Sequence, residues 1–385
     1  MSSSVSEPYD LIITGAGPVG LLAAIMAHKS GLKVLVLEKN SGPTRYSKSI
    51  GIHPPSLELI AAVGLLDAFL ARGKMIRRGL ACSQHGDLLG TLDFQSADTP
   101  FDYILTIPQW ITESIFVEQL NALDPGLVQW GATVTGLSEG ELCEVQFSDA
   151  GAGMRVLLAK MVMGCDGKKS VIRQLAGIPF HGRPYASRYA MGDFADNTGY
   201  GSDAVIFLSQ EGLVECFPLP DGIRRWVIQQ DKAEPAGNAG SFTEQVGKRC
   251  GIAPDPSDCS MFSQFQVERY LAGTFWQGRV VLAGDSAHVV SPIGGQGMNL
   301  GWINAALAVK LMDSVLKGGQ SPADAAQIYD RQARHRAMKV IRRAEFNMRL
   351  GNRNPMHRLR NKLVSMLLAS PLRHPLRRRF TMQNL

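Results

Sequence analysis

Residues 9–38 read YDLIITGAGPVGLLAAIMAHKSGLKVLVLE, and this stretch decides how the chain begins to fold. The apolar run at 9–14 is typical of a buried parallel strand, and the run at 33–37 is typical of a second one. A glycine-rich turn and a helical stretch lie between the two runs. The order strand, turn, helix, strand within about 30 residues predicts one parallel β-α-β unit.

The turn between the first strand and the helix contains Gly15, Gly17 and Gly20. Because glycines have no side chain, they allow a sharp bend, a close approach of the backbone to a pyrophosphate, and tight helix packing. The helix N-terminus then offers unpaired N–H groups to phosphates. Glu38 ends the second strand, where a carboxylate would accept hydrogen bonds from an adenosine ribose. The unit therefore predicts a dinucleotide site, but a glutamate alone does not separate NAD from FAD.

Length and composition indicate a globular enzyme. A chain of 385 residues favours two interleaved domains, and 45% hydrophobic with 19% charged residues is close to average globular usage. The six cysteines form no C-x-x-C pair, so we expect no metal site and no disulfide scaffold, and a reducing cytoplasm is the simplest location. The absence of a signal peptide and of an apolar run of about 20 residues makes export and membrane spanning unexpected.

Charge is distributed unevenly along the chain. Residues 331–385 contain 15 Lys and Arg against one acid, Glu345, whereas residues 1–330 carry a net charge of −8. Such a basic segment is typical of a solvated helix face, which we favour, of a surface that contacts an anionic membrane, or of one that attracts an anionic ligand. Its stretch at 359–379 alternates apolar and basic residues, which keeps peripheral membrane contact open. We expect no nucleic-acid partner.

Two later segments bear on the choice of dinucleotide. Residues 163–178 read MGCDGKKSVIRQLAGI, and residues 278–312 read GRVVLAGDSAHVVSPIGGQGMNLGWINAALAVKLM. With the N-terminal turn, they resemble the FAD-binding motifs of the aromatic-hydroxylase flavoproteins, the para-hydroxybenzoate hydroxylase type. The resemblance runs from residue 9 to about residue 345 in outline and is specific in the three motifs.

The resemblance implies FAD as the cofactor. Asp285 would accept a hydrogen bond from a ribityl hydroxyl, Pro292 would lie near the flavin face, and the following helix N-terminus would stabilise negative charge on reduced flavin. Lys48 stands where the family usually has arginine, and a lysine keeps the charge but loses the bidentate contact. Gln109 is either a flavin contact or a polar first-turn residue. The residues expected to bind the cofactor are Gly15, Gly17, Pro18, Gly20, Glu38, Lys39, Lys48, Gln109, Asp166, Asp285, Pro292, Gly295, Gly297, Met298 and Asn299.

The resemblance also implies an α/β fold with two interleaved domains. A Rossmann-like FAD-binding domain of the glutathione-reductase type would hold an inserted, mainly antiparallel β-sheet substrate domain, followed by a helical C-terminus. Strands are predicted near 103–107, 133–136, 156–163 and 279–283, and helices over 110–122, 299–316 and most of 321–369. We assign 1–75, 100–180 and 276–345 to the FAD domain, 76–99 and 181–275 to the substrate domain, and 346–385 to a basic helical segment.

The implied activity is that of an FAD-dependent monooxygenase. In the family, NAD(P)H reduces FAD, O2 forms a flavin C4a-hydroperoxide, and one oxygen atom hydroxylates an aromatic, phenolic or quinone-like substrate. The sequence assigns no catalytic base; the candidates are His53, His181, Tyr185 and Tyr189, while His288 is expected to fix a loop. Alternatives are a flavin reductase of an isoprenoid or quinone double bond, and a non-catalytic flavoprotein in a biosynthetic complex.

One segment suggests a substrate wall. Residues 215–229 resemble the strand pair that lines the substrate cavity in the family, and Phe217, Pro218, Leu219 and Trp226 would form an apolar surface suited to a ring. An ordinary sheet core explains the same residues equally well.

Overall fold

The computed structural model describes residues 7–43, 49–95, 99–149, 153–230 and 235–385, which form nineteen strands and ten α-helices. The strands are β1 (Tyr9–Thr14), β2 (Val34–Glu38), β3 (Gly51–Ile52), β4 (Lys74–Ile76), β5 (Arg78–Ser83), β6 (Leu88–Asp93), β7 (Ile104–Thr106), β8 (Val128–Trp130), β9 (Ala132–Glu139), β10 (Cys143–Asp149), β11 (Gly153–Gly164), β12 (Phe180–Ala195), β13 (Ala204–Ser209), β14 (Gly212–Pro218), β15 (Ile223–Gln229), β16 (Met261–Ala272), β17 (Trp276–Gln277), β18 (Val280–Leu282) and β19 (His288–Val289). The helices are α1 (Pro18–Lys29), α2 (Pro54–Ala62), α3 (Leu66–Arg72), α4 (Gln109–Leu123), α5 (Val171–Leu175), α6 (Ala239–Cys250), α7 (Gly297–Leu316), α8 (Pro322–Gly351), α9 (His357–Ala369) and α10 (Arg373–Phe380).

The first sheet is built around the predicted β-α-β unit. Its central order is β17-β18-β11-β1-β2-β8. Strand β1 pairs in parallel with β2, which follows it closely in the sequence, and with β11, which is far from it in the sequence. Every residue of β2 is buried, as is typical of a strand covered on both faces. Helix α1 packs on this sheet and α7 packs on α1, and the apolar residues of both helices belong to the largest core cluster. An antiparallel hairpin of β9 and β10 extends the sheet at β11.

The second sheet has the order β19-β16-β12-β15-β14-β13-β5-β6. Its pairings are antiparallel apart from β13 with β5, which run in parallel. The range 181–275, predicted to hold a mainly antiparallel sheet, contains β13, β14 and β15. A small third sheet has the order β3-β7-β4. The mixed α/β class with a mainly antiparallel second sheet is therefore confirmed.

The two faces of the second sheet differ in chemistry because successive side chains along a strand alternate. One face packs against α6, with Phe207 and Trp226 stacked at a centroid distance of 6.3 Å in the core beneath Phe242. The prediction that Trp226 lines the substrate wall is therefore wrong, because its position on β15 turns it toward α6. The opposite face contains Tyr189 and Val227, in a separate cluster with residues of the 291–297 loop and α8.

The basic C-terminal segment is only partly a solvated face. The helices predicted over most of 321–369 and in the segment 346–385 are α8, α9 and α10, and α9 lies against β6 and β13. Arg360 and Asn361 are buried and donate hydrogen bonds to the carbonyls of Ser209 and Leu208. Within the described ranges of the chain, no helix is long and apolar enough to span a membrane.

Candidate functional site: three glycine-rich motifs at one end of the first sheet

The N-terminal turn leaves one side open for a ligand. A Cβ placed at Gly15 would lie 2.5 Å from the carbonyl oxygen of Cys165, and one at Gly20 would lie 2.0 Å from the Gly15 oxygen, so packing requires both glycines. A Cβ at Gly17 would meet nothing within 4 Å. Gly17 is also the N-cap of α1 without a side-chain cap, and Pro18 is at its first position. The open space and the uncapped N–H groups fit a pyrophosphate.

Glu38 lies directly beside this turn. Its side chain is 7% exposed, and its carboxylate accepts hydrogen bonds from the Ala16 N–H at 2.7 Å and from the Asn40 N–H at 2.9 Å. These bonds hold the carboxylate at the end of β2, next to the turn that would bind the phosphates. Lys39, the next residue, is exposed. Lys48 lies outside the described residues.

Gln109 begins α4 and links a loop to a buried acid. Its amide oxygen accepts from the Ser49 N–H at 3.3 Å, and its amide nitrogen donates to Glu113 at 2.9 Å. Burial raises the pKa of Glu113 to about 7; the Gln109 hydrogen bond opposes this rise, and the charge of Glu38 adds to it. Sequence reasoning missed Glu113, because a single acid in an amphipathic helix gives no signal of its burial.

The second motif is anchored by Asp166 at the N-terminus of α5. One carboxylate oxygen of Asp166 accepts from the N–H groups of Val171 and Ile172 at 2.6 and 3.1 Å, whereas its other oxygen, Oδ1, is buried without a partner. Burial raises the pKa of this carboxyl. Asp166 therefore caps a helix and still offers one oxygen for a hydrogen-bond donor. Arg173, buried above Phe180, donates to the Ser286 carbonyl and so ties this motif to the third.

The first and third motifs meet where α7 crosses α1. A Cβ at Gly301 would lie 2.6 Å from Val19 of α1, and the Trp302 indole N–H donates to the Pro18 carbonyl at 2.8 Å. The loop before α7 begins at Gly284, and Asp285 is exposed at its start. The three glycine-rich motifs, separated by more than a hundred residues in the sequence, thus share one end of the first sheet.

The glycine-rich turn before α7 is held in place by Asn299. Its amide oxygen accepts from the His53 N–H at 2.9 Å, and its amide nitrogen donates to the carbonyls of Gly51 and Gly295 at 2.8 and 3.0 Å. These bonds occupy the polar atoms of the buried Asn299 side chain, which the resemblance assigns to the cofactor site. Gly297 starts α7, and no side chain caps that helix N-terminus. Its N–H groups can therefore face an anionic ring edge.

The turn itself needs glycine at two positions, since Gly294 and Gly295 have φ of +94° and +65°. Pro292, just before them, is exposed, while its neighbour Ile293 is buried against the second sheet. The loop at 291–297 therefore packs against the second sheet through Ile293. This is where the resemblance places the flavin ring.

The candidate bases occupy very different surroundings. Burial lowers the pKa of His53 to about 4, so it is neutral beside the glycine-rich turn, and His181 is exposed. The Tyr185 hydroxyl donates to Glu345 at 2.8 Å. Tyr189 is fully buried on the second sheet, and its hydroxyl has no partner in the described part of the chain.

The histidine of the third motif is a structural residue. His288 is buried, its Nε2 lies 3.1 Å from the amide nitrogen of Asn304, and its ring lies 5.7 Å from that of Phe275. Burial lowers its pKa to about 4. His288 thus fixes the loop to α7, as expected, through its contact with Asn304.

Comparisons with known proteins agree with this geometry. The family described as "FAD binding domain" matches residues 8–344, most of the chain. A rifampicin monooxygenase of Streptomyces venezuelae is 33% identical over 76% of this chain and 61% of its own length. A 12-dehydrotetracycline 5-monooxygenase/anhydrotetracycline 6-monooxygenase of Streptomyces rimosus is 31% identical over 94% of this chain and 74% of its own. The matched region thus spans 61% and 74% of the length of these two relatives.

Solved structures share the whole architecture. The p-nitrophenol 4-monooxygenase of Pseudomonas putida DLL-E4 superposes with a TM-score of 0.89 at 24% identity, covering 97% of this chain and 98% of its own, which shows the fold. An anhydrotetracycline hydroxylase of Streptomyces rimosus superposes with a TM-score of 0.81 at 27% identity, covering 98% and 77%. The chain belongs to the FAD-binding family and, within it, to the FAD-dependent monooxygenases of the aromatic-hydroxylase type.

Proposed function

We propose that this protein hydroxylates an aromatic, phenolic or quinone-like substrate, with NAD(P)H as reductant and O2 as oxidant. The observation that carries the proposal is the convergence of the three FAD motifs beside a second sheet whose inner face is buried under the 291–297 loop. The overall change is substrate C–H plus O2, NAD(P)H and a proton, giving C–OH, NAD(P)+ and water. FAD, when bound, supplies the hydride acceptance and the oxygen activation.

The residues of the chain bind the cofactor, orient the substrate and exclude water. In the proposal, the open turn at Gly17 and the N-terminus of α1 hold the pyrophosphate, Glu38 holds a ribose, and Asp285 a ribityl hydroxyl. The uncapped N-terminus of α7 stabilises negative charge that develops on the ring edge. Pro292 and Ile293 separate this region from the second sheet.

The domain division follows from the same arrangement. We propose that residues 1–75, 100–180 and 276–345 form the FAD-binding domain and that 76–99 and 181–275 form the substrate domain. The strands of the second sheet support the division, because β5, β6, β13, β14, β15 and β16 lie in the latter two ranges and β12 begins one residue before them. The short strand β19 crosses over from the third motif, so it joins the two domains.

The test is NAD(P)H oxidation by the FAD-loaded protein across phenols, quinones and polycyclic aromatics, with product masses and labelled O2. We expect substrate-stimulated oxidation and a product heavier by one oxygen atom that carries the label. Oxygen-independent turnover with a gain of two hydrogens would replace the proposal by a reductase. FAD binding without any turnover would favour a non-catalytic flavoprotein.

We also propose that α9 contacts an anionic membrane surface. Met356, Leu359, Leu363 and Met366 recur every three or four residues, so they share one face of the helix, and each is more than half exposed. Arg358 and Lys362 lie on the same helix, beside this face. An apolar stripe flanked by cations complements anionic headgroups.

Liposome co-sedimentation tests this second proposal. The intact protein should bind anionic vesicles more than neutral ones, and the double substitution of Leu359 and Leu363 by serine should abolish the binding. Serine at Met154 and Val156, two exposed apolar residues on β11, is the matched control and should leave binding unchanged. A dimer that dissociates on the Leu359 and Leu363 substitutions would instead assign the stripe to a second copy of the chain.

A further inference from the structure

Glu215 is the exceptional residue of the second sheet. It lies in the middle of β14, is 7% exposed, and has no hydrogen bond or ion pair with any described residue. Buried carboxylates in proteins are normally paired or hydrogen-bonded, because an isolated buried charge is costly. A buried carboxylate without a hydrogen-bond donor in the chain marks a position where a ligand can supply that donor.

The sheet register shows which way the side chain points. Glu215 pairs directly with Val227 of β15, which pairs in turn with Met191 of β12. Directly opposite residues point to the same face, and Val227 and Met191 belong to the buried cluster that includes Ile293 and Met348. The neighbours of Glu215 along β14, Val214 and Cys216, belong to the other cluster, against α6. Glu215 therefore points to the face that is covered by the 291–297 loop.

The surroundings of Glu215 on this face are apolar and aromatic, with one further unpaired polar atom. Tyr189 stacks on Phe265 at a centroid distance of 5.8 Å, and its hydroxyl is buried without a partner. Glu215 and Tyr189 are close enough for the charge of Glu215 to raise the pKa of that phenol, together with burial. Glu215 and Tyr189 are thus two polar side chains on a face that also contains the ion pair of Arg225 with Asp193.

The cation that could neutralise Glu215 already forms an ion pair with another buried acid. Arg225, two residues along β15 from Val227, makes two hydrogen bonds to Asp193, at 2.6 and 2.7 Å. Burial alone raises the pKa of Glu215 to about 7, with no contribution from a neighbouring charge. Desolvation thus destabilises the ionised form of Glu215, and a hydrogen-bond donor that enters this face would stabilise it.

We propose that Glu215 is the residue that recognises the substrate, by accepting a hydrogen bond from a hydroxyl group on its ring, and that it excludes ring substrates with a carboxylate at this position. This inference rests on the proposed function, because it places the substrate between the second sheet and the 291–297 loop. The donor satisfies a buried acceptor, whereas an anionic substituent would meet a second negative charge. The substrate class is therefore a neutral hydroxylated aromatic.

The experiment is a titration at pH 8, above the pKa of about 7 of Glu215, of the oxidised, FAD-loaded protein with three probes, followed by the change in flavin absorbance. The probes are 2-naphthol, its methyl ether and 2-naphthoate, which share one ring system and differ in the substituent. We expect 2-naphthol to bind about tenfold to a hundredfold more tightly than the ether, since a hydrogen bond to a charged group contributes roughly 1.5–3 kcal/mol. The naphthoate should bind more weakly than either.

Two variants assign the selectivity to the carboxylate. Glu215→Leu should bring the affinities for naphthol and ether to within about threefold, and Glu215→Gln should restore binding of naphthoate at least in part. Glu211→Gln, an exposed glutamate in the turn before β14, is the control and should change none of the ratios. The flavin spectrum of each variant reports whether FAD is still bound.

Equal affinities for naphthol and ether in the wild type would overturn the inference, as would a preference that survives Glu215→Leu or no binding of any probe. The titration is independent of turnover, so it separates the two proposals. A selectivity that depends on Glu215 without oxygenated product would leave the recognition role intact and refute the proposed reaction.

Discussion

Substitution of Glu215 by glutamine should change how the stability of the FAD-loaded protein depends on pH. The pKa of this carboxyl is raised by burial from 4.5 to about 7. Between these values the folded protein keeps the proton while the unfolded chain releases it, so folding stability falls as pH rises through the window. Above about pH 7 the loss is complete, and below about pH 4.5 it is absent.

The size of the effect follows from linkage. The shift of the pKa from 4.5 to about 7 corresponds to a total loss of folding stability of about 3 kcal/mol, most of which falls between pH 5 and pH 8. Glutamine has no such titration, but its buried amide has its own cost, so the useful quantity is the change of stability with pH. For a chain of this length, about 2–3 kcal/mol corresponds to roughly 3 °C in Tm.

Thermal unfolding of the FAD-loaded proteins at pH 5 and pH 8 measures this change. We expect Glu215→Gln to gain about 3 °C on the wild type at pH 8 relative to their difference at pH 5. Glu211→Gln removes an exposed carboxyl next to the same strand and should show no such gain. An equal Tm difference at both pH values would refute the view that Glu215 is a buried carboxyl without a partner.

Three further predictions follow from the site. Gly17→Ala should weaken FAD binding at least tenfold, measured by equilibrium dialysis, with little change in the stability of the FAD-free protein. Gly20→Ala should prevent folding, which circular dichroism would show. Normal FAD affinity in Gly17→Ala would contradict the assigned pyrophosphate position. Arg225→Ala leaves Asp193 buried and unpaired and should cost about 3–5 kcal/mol in urea unfolding, while replacing both by apolar residues should recover most of it; an additive loss would contradict the pairing. Asn299→Ala should lower both the stability of the protein and its FAD affinity, because the side chain binds backbone groups on both sides of the glycine-rich turn. A loss of FAD affinity alone, with Tm unchanged, would mean that the side chain contacts the cofactor directly.

Local sequence predicted the N-terminal unit correctly, because its signals act over a few residues. The apolar runs became β1 and β2, and Gly15 and Gly20 lie where only glycine fits. The helix after the third motif was predicted from residue 299 and begins at Gly297. By contrast, the apolar pattern around Trp226 fits a residue of the substrate wall and a residue of the sheet core equally well. Only its position in the sheet decided between the two locations.

The sequence by itself determined the dinucleotide turn, the three motifs and the class of the fold, since glycine sterics, hydrophobic periodicity and helix N-termini are local properties. Only the tertiary structure decided that Asn299 ties the glycine-rich turn to β3, and that Glu215 faces the 291–297 loop without a partner. The physical reason is that burial and pairing depend on strand register between segments far apart in the chain. A one-residue shift in β14 would turn Glu215 to the α6 side and reverse its role.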